Sequence, residues 1–446
     1  MRDWDAAKLT AAAEAELVAG EAAGMGPRRA VIDSREVVEG DLFVGLPGEH
    51  ADGGEFAASA LDAGAWGVLV GREHAAGLVG GGRVLAAKDP LVALQTLAHA
   101  RRKALSARVL GITGSTGKTS VKDIAAAMLP GHVYASRANF NTEIGLPLSI
   151  LEAPPETELL VLEMAMRGAG QIRELCEIAE PDVVVITNVG PVHLELLGSL
   201  EAVAAAKAEA LWGLGEGHAV VPAEAGPLEP HLTGEVRLLR FGDGGDVYAR
   251  EQRRRDPAST EALVVTPVGE RRFSLPFSEA YHLENTLAAI GAGVALELSL
   301  DEMARLAPRI TFSALRGEVV SLPGEAILIN DSYNANPVSM RAALDHLGSV
   351  EVEGRRIAVL GEMRELGPEA ATHHREVGAH ARAAGADYVI GVGELGAAYD
   401  PDQAAADAEA AAVLLRGQLG PGDAVLVKGS RAIGLEKIAE LLAEPR

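Results

Sequence analysis

The stretch VLGITGSTGKTSVKDIAAAML, Val109 to Leu129, decides how the chain is read. It opens with a short apolar run, Val109 to Ile112, which predicts a buried strand. From Thr119 onward alanines and aliphatics recur at helical spacing. Between strand and helix stand Gly114, Ser115, Thr116, Gly117, Lys118 and Thr119. Glycines let the backbone curl so that several N–H groups point at one anion. The helix that follows adds its positive N-terminal end. In such a loop Lys118 reaches the outer phosphates and the Thr119 hydroxyl binds Mg²⁺. The longer phosphate-loop pattern places a glycine where this chain has Ile112, so the match is to the shorter GxxGKT form. An ordinary glycine-rich turn leaves Lys118 unexplained, because a cation at a helix N-terminus opposes the helix dipole.

With 446 residues the chain is too long for one core and predicts about two to four domains. A hydrophobic fraction of 48% and a charged fraction of 23% are those of a globular protein. A formal charge of −23 excludes a general binder of nucleic acid or anionic membrane. An anionic substrate must then be drawn in by a local site. One cysteine, Cys176, excludes a disulfide framework and fits a reducing cytoplasm. The first residues, MRDWDAAKLTAAAEAEL, lack the apolar segment of a signal peptide, and no apolar run is long enough to predict a membrane span.

Strands alternating with helices predict an α/β chain in three blocks, 1–104, 105–316 and 317–446. The first is a small α/β domain that leaves through a helix near Leu91 to Leu105. The central block adds ELLVLEMAM, PDVVVITNVG and HAVVPAE to the phosphate-loop strand, which means a parallel sheet with ligands at its carboxyl edge. From Val236 to Pro276 the text predicts antiparallel hairpins, and a helix around LENTLAAIGAGVALEL closes the block. The third block, with AILIND, RIAVLGEM, DYVIGVG and AVLVKGS, is Rossmann-like. Its literal GxGxxG, Gly391 to Gly396, lacks an acidic strand end about 20 residues on and reads as a strand-end turn. The alanine-rich Gln403 to Leu415 predicts a helix.

Several polar residues fall just after these strands. Glu163 offers Mg²⁺ a hard oxygen, or caps the following helix. His193 completes a second metal's shell, or is a loop histidine. Lys207 joins them, or is a solvated helix lysine. Asn139 and Asn141 hold a substrate or form a turn. Arg316, at the junction of the second and third blocks, reaches a γ-phosphate or makes an interdomain ion pair. Asp331, with Tyr333, Asn334 and Asn336 in NDSYNANP, binds ribose hydroxyls or starts the next helix. Lys428 and Arg431 place cations after the last strand, for an anion or for solvent.

GITGSTGKTS, NFNTEIGLPLSIL, EMAMRGAGQI, ITNVGPVHLELLGSLEAVAAAKAE, NDSYNANPVSM and LVKGSRAIG together resemble the Mur ligases of peptidoglycan synthesis. The early DSREVVEGDLFVGLPGEHADG resembles the nucleotide-sugar domain found in that family. The resemblance covers nearly the whole chain, and it implies three domains: UDP-substrate-binding, ATP-binding and C-terminal. It implies a cytoplasmic, monomeric, ATP-dependent amide ligase, with NDSYNANPVSM and NFNTEIGLP pointing to the member that joins D-alanyl-D-alanine to UDP-N-acetylmuramoyl-tripeptide through an acyl phosphate. Ser34 and Arg35 would then lie near the uridine or diphosphate, and Gly114 to Ser120 would hold ATP and Mg²⁺. Glu163 and His193 would ligate a second Mg²⁺, helped by a carbamylated Lys207. Asn285 would contact the adenine side, Arg316 and Asp331 phosphate and ribose, and Asn139, Asn141, Tyr333, Asn336 and Lys428 the substrates. The rival expectations are a sister ligase acting on another amine, such as a folylpolyglutamate synthetase, and a phosphate-loop switch that hydrolyses ATP with no acceptor.

Overall fold

The computed structural model describes residues 1–78, 82–137, 139–233, 236–256 and 258–443. Four sheets follow one another along the chain. The first contains β1 (Glu16–Ala19), β2 (Ala30–Val31), β3 (Leu42–Val44), β4 (Gly67–Gly71) and β5 (Arg83–Ala87), in the order β1-β5-β4-β3-β2. Only β1 runs antiparallel to its neighbour. The central sheet contains β6 (Arg108–Thr113), β7 (Val133–Ala135), β8 (Leu159–Glu163), β9 (Val183–Ile186), β10 (His218–Pro222) and β11 (Arg237–Phe241). Its order is β11-β10-β9-β6-β8-β7, and every pairing is parallel.

Strand β6 therefore lies between β8 and β9, the place where the chain switches from building one side of the sheet to building the other. Ligand crevices open at such switch points, beyond the carboxyl ends of the strands. The strands β6, β8 and β9 are near-continuous aliphatic runs because both faces of a parallel sheet are covered. Alternate side chains feed two cores. Leu110 and Ile112 pack with Val121, Ile124 and Met128 of the helix Lys118–Met128 and with the helix Ala280–Ala295. Val109, Leu160 and Leu162 face the other way, toward Leu146, Ile172 and Leu175. That second core runs on without a break to Leu42, Leu69 and Leu85 of the first sheet. The helix Pro90–Ala104 makes the bridge; it starts at Asp89, whose carboxylate accepts from Leu91 and Val92 N–H, with Pro90 in its first turn.

A three-stranded antiparallel sheet follows, β12 (Tyr248–Asp256), β13 (Ser259–Thr266) and β14 (Gly269–Leu275). The hairpin region predicted from Val236 onward is thus shorter than expected. Its first strand, β11, belongs to the central sheet, in parallel register with β10 from His218↔Arg237 to Pro222↔Phe241. Phe241 is buried there against the central core, burial that a two-stranded hairpin would not provide.

The last sheet contains β15 (Glu318–Ser321), β16 (Ile327–Asn330), β17 (Arg356–Gly361), β18 (Tyr388–Val392), β19 (Gln403–Ala405) and β20 (Ala424–Lys428). The order is β15-β16-β20-β17-β18-β19, parallel except for β15. The predicted helix from Gln403 begins instead at Ala408, after β19. Asp407 is the reason: its side chain accepts from Ala410 N–H, giving the helix a start that the preceding alanines lack. The GxGxxG forms the turn after β18, with Gly391 packed on Gly396 so closely that an added Cβ would meet Gly396 oxygen at 2.1 Å. Among the described residues no helix is long and apolar enough to cross a membrane.

Candidate active site

A cavity of about 670 Å³ opens where the carboxyl ends of β6, β8 and β9 meet the carboxyl ends of β16 and β20. The glycine loop forms its floor. Gly114 has φ 146° and Gly117 φ 80°, conformations that L side chains avoid. Space reinforces the choice: a Cβ on Gly114 would lie 1.8 Å from Thr187 Oγ1, and one on Gly117 2.5 Å from Asn285 Oδ1. The loop is anchored from β9's far end. Asn188 Oδ1 accepts from Thr116 N–H at 3.0 Å, and Asn188 Nδ2 donates to Thr116 Oγ1 at 2.6 Å. Ser115 Oγ accepts from Gly190 N–H at 2.9 Å. Lys118 Nζ folds back onto the loop and donates to Gly114 oxygen at 2.7 Å. Burial pushes its pKa below that of a free lysine, against an opposing pull from the Glu163 carboxylate.

The Thr119 hydroxyl is where three segments converge. It donates to Glu163 Oε2 at 2.8 Å and accepts from Arg316 Nη2 at 2.8 Å. Glu163, the last residue of β8, is only 2% exposed, and its second oxygen accepts from Asn141 Nδ2 at 2.8 Å. A carboxylate this buried is costly unless hydrogen-bonded or matched by a cation. Arg316 comes from the connection into the last sheet and lies over the Tyr333 ring, 4.2 Å from its centroid. Its Nε is buried without a hydrogen bond among the described residues.

Two lysines are buried at the margins. Lys428, at the end of β20, bonds Asp331 Oδ2 at 2.7 Å, and the carbonyls of Asp331 and Asn334 at 3.3 Å and 3.0 Å. Lys207, on the helix Leu200–Ala208, is 2% exposed, and its side-chain amine has no ion pair or hydrogen bond among the described residues. Burial, and secondarily the charge of Lys118, hold its pKa well below the lysine norm.

Of the residues singled out from sequence, Ser115 to Ser120, Asn139, Asn141, Glu163, His193, Asn285, Arg316, Asp331, Tyr333, Asn336 and Lys428 line this one cavity. Gly114 lies beneath the loop, and Lys207 is not among the lining residues but is close enough to depress the pKa of His193. Asn336 does a second job: it caps the helix Pro337–Ser349 in a reciprocal pair with Ser339. Ser34 and Arg35 stand apart, in a short turn of the first sheet's block; Arg35 is exposed and pairs with Asp33. Arg431 pairs with Glu436 and does not line the cavity.

Sequence reading missed Asn188 and His282. Asn188 lies two residues past the end of β9, so the strand-end rule that found Glu163 also reaches it. His282 gives no such signal. It is 2% exposed, stacks on Phe312 at 3.8 Å, and has both ring nitrogens unpartnered among the described residues.

A glycine loop at the switch point of a parallel sheet, closed by residues from a second nucleotide-type sheet, defines an enzyme that activates its substrate with a nucleotide phosphate. The chain matches three family descriptions: Mur ligase family, catalytic domain, over residues 30–138; Mur ligase middle domain, over 112–293; and Mur ligase, glutamate ligase domain, over 315–431. It is 34% identical to the UDP-N-acetylmuramoyl-tripeptide--D-alanyl-D-alanine ligase of Bacillus subtilis, across 96% of this chain and 97% of that one. Among solved structures, MurF from Acinetobacter baumannii superposes with a TM-score of 0.87 at 27% identity, covering 99% of both chains. The MurF ligase of Thermotoga maritima in complex with ADP gives 0.82 at 31% identity, over 93% of this chain and 97% of that one. The chain belongs to the Mur ligase family.

Proposed function

We infer that the chain is an ATP-dependent amide ligase that joins D-alanyl-D-alanine to UDP-N-acetylmuramoyl-tripeptide. The observation that carries this is the convergence of Glu163 and Arg316 on the Thr119 hydroxyl, at the mouth of a loop built for phosphate. The substrate assignment rests on the likeness to ligases of that name.

The chemistry follows from charge. The tripeptide's terminal carboxylate attacks the γ-phosphorus of ATP, forming an acyl phosphate and releasing ADP. The amine of D-alanyl-D-alanine then attacks the acyl carbon, inorganic phosphate leaves with the C–O bond electrons, and the amine loses a proton. The first step brings anions together, so cations must screen them. Lys118 and Arg316 are assigned to do this, Arg316 reaching the residue next to Lys118. Arg316 must release Thr119 Oγ1 before a metal can take that lone pair. The donor set fits Mg²⁺: Thr119 and Glu163 supply hard oxygens, and Glu163 has no cationic partner within ion-pair distance among the described residues. Bound there, Mg²⁺ would neutralise phosphate charge.

For a second ion we assign Glu163, His193 and Lys207. Burial favours the neutral amine of Lys207, and a neutral amine is the form that adds CO₂, losing one proton and becoming an anionic carbamate. Asn285 and Asp331 are assigned to adenosine, Asn139, Asn141, Tyr333, Asn336 and Lys428 to the acceptor substrates, and Ser34 and Arg35 to the UDP moiety. The working units are taken as 1–104, 105–316 and 317–446, in a monomer of the cytoplasm. The deciding assay is ADP release with UDP-N-acetylmuramoyl-tripeptide and ATP. Release should require D-alanyl-D-alanine; release with another amine instead points to a sister ligase, and release with no acceptor to a switch ATPase.

A further inference from the structure

Glu365 had no place in the sequence reading, yet it touches the site from outside its own sheet. It lies in the loop after β17, and its Oε2 is 2.5 Å from His193 Nδ1. Its Oε1 is 3.8 Å from Arg167 Nε, and its backbone carbonyl accepts from Glu195 N–H at 3.4 Å. The partners His193, Arg167 and Glu195 all belong to the central block. Both members of the main pair are in left-handed backbone, His193 at φ 53° and Glu365 at φ 64°. Non-glycine residues held there are strained and persist where surrounding structure fixes them. The loop is so fixed: Arg364 N–H donates to Ser430 Oγ at 3.0 Å, and Met363 N–H to His374 Nε2 at 3.0 Å.

An imidazole that gives its Nδ1 proton to a carboxylate keeps Nε2 as the lone-pair nitrogen, and this is how metal-binding histidines are oriented. Here the carboxylate comes from the last sheet's block while the histidine belongs to the central one. We propose that Glu365 is a positioning residue that sets the tautomer and direction of His193, so that divalent-cation binding in the central block is complete only when the last block is seated on it. The proposal rests on the assignment of His193 as a metal ligand. Linkage then runs both ways: seating tightens the metal by the same factor as the metal tightens seating. The contact to Arg167 adds little, since Arg167 is 75% exposed.

The test uses the full-length protein with ADP and Mn²⁺. Mn²⁺ affinity is read by titration, the imidazole nitrogen coupling by electron spin-echo spectroscopy, and the separation of the blocks by small-angle scattering. His193→Ala should abolish the nitrogen coupling; if it does not, the metal-ligand assignment of His193 fails and takes this proposal with it. Glu365→Gln should weaken the His193-dependent ion about 10- to 100-fold and alter the nitrogen coupling. Glu365→Gly, which relieves the backbone, should do the same. Both variants should also widen the separation of the blocks in the presence of Mn²⁺. Unchanged affinity and coupling in both Glu365 variants, with the coupling lost in His193→Ala, overturns the role of Glu365 and leaves the ligase assignment standing.

Discussion

The two blocks that meet at the cavity treat a buried lysine in opposite ways. On the last sheet's side Lys428 is saturated, held by one carboxylate and two carbonyls. On the central side Lys207 is equally buried, 2% exposed, and its amine has no partner among the described residues. A paired buried cation is architecture: it ties the Asp331–Asn336 loop to the end of β20. An unpartnered one is a cost to the fold, here one that pushes the lysine pKa down, and such costs concentrate where chemistry is done. The cavity thus lies between a block whose buried lysine is satisfied internally and a block whose buried lysine is not.

The largest effect should come from the central block. Lys118→Ala removes the one cation that the glycine loop itself carries, and single cations at a transferring phosphoryl group are worth about 10³–10⁵ in rate. ADP release with all substrates should therefore fall at least about a thousandfold, by the same scale, with the melting temperature little changed. In the last sheet's block stability should be lost as well. Lys428→Met leaves the Asp331 carboxylate without its cation, and breaking a buried pair costs about 3–5 kcal/mol. Chemical denaturation should show a loss of about 3 kcal/mol, the low end because Asp331 is 16% exposed.

Lys207→Ala sharpens the contrast. Loss of a carbamate ligand should lower turnover about a hundredfold, the scale of losing metal-site support. Added acetate or formate should restore part of it, and intact wild-type protein should carry the mass of one CO₂. Stability should not fall as it does for Lys428→Met, because no pair is broken. A Lys207→Ala protein with unimpaired turnover removes Lys207 from the site.

Much of this was legible in the sequence, for a physical reason. Glu163, His193 and the glycine loop follow aliphatic strands, and the carboxyl ends of parallel strands share one edge, so order along the chain translates directly into proximity. What stayed hidden depended on other relations. The partnering of Lys428 and the isolation of Lys207 look identical in one dimension, as lysines near alanines and glycines. Strand β11 carries turn-rich text downstream that suggests a hairpin, and only the neighbouring β10 reveals its parallel partner. Glu365 reaches His193 across 172 positions between blocks, a contact no periodicity encodes. Asn188, by contrast, was within reach of the same strand-end rule.

His282 supplies the smallest and cleanest test of the idea that cost marks the central block. It packs between Phe312 and Phe277, with Arg316 and His346 as its charged neighbours, and burial drives its pKa down to about 3. The sign follows from linkage. An unfolded chain protonates this histidine below its usual pKa near 6.5, whereas the folded chain resists until about 3. Stability is therefore fully present above about pH 6.5 and drains away as the pH falls toward the folded value. Between pH 7 and pH 5 the loss from this one group should be about 2 kcal/mol. His282→Phe keeps the aromatic stack and removes the proton site. In the ligand-free protein, denaturation curves at the two pH values should differ less for the variant than for the wild type by about that 2 kcal/mol. Equal pH dependence in the two proteins would mean that the ring is hydrated or partnered in solution, and that the unpaired burial in this block is confined to Lys207.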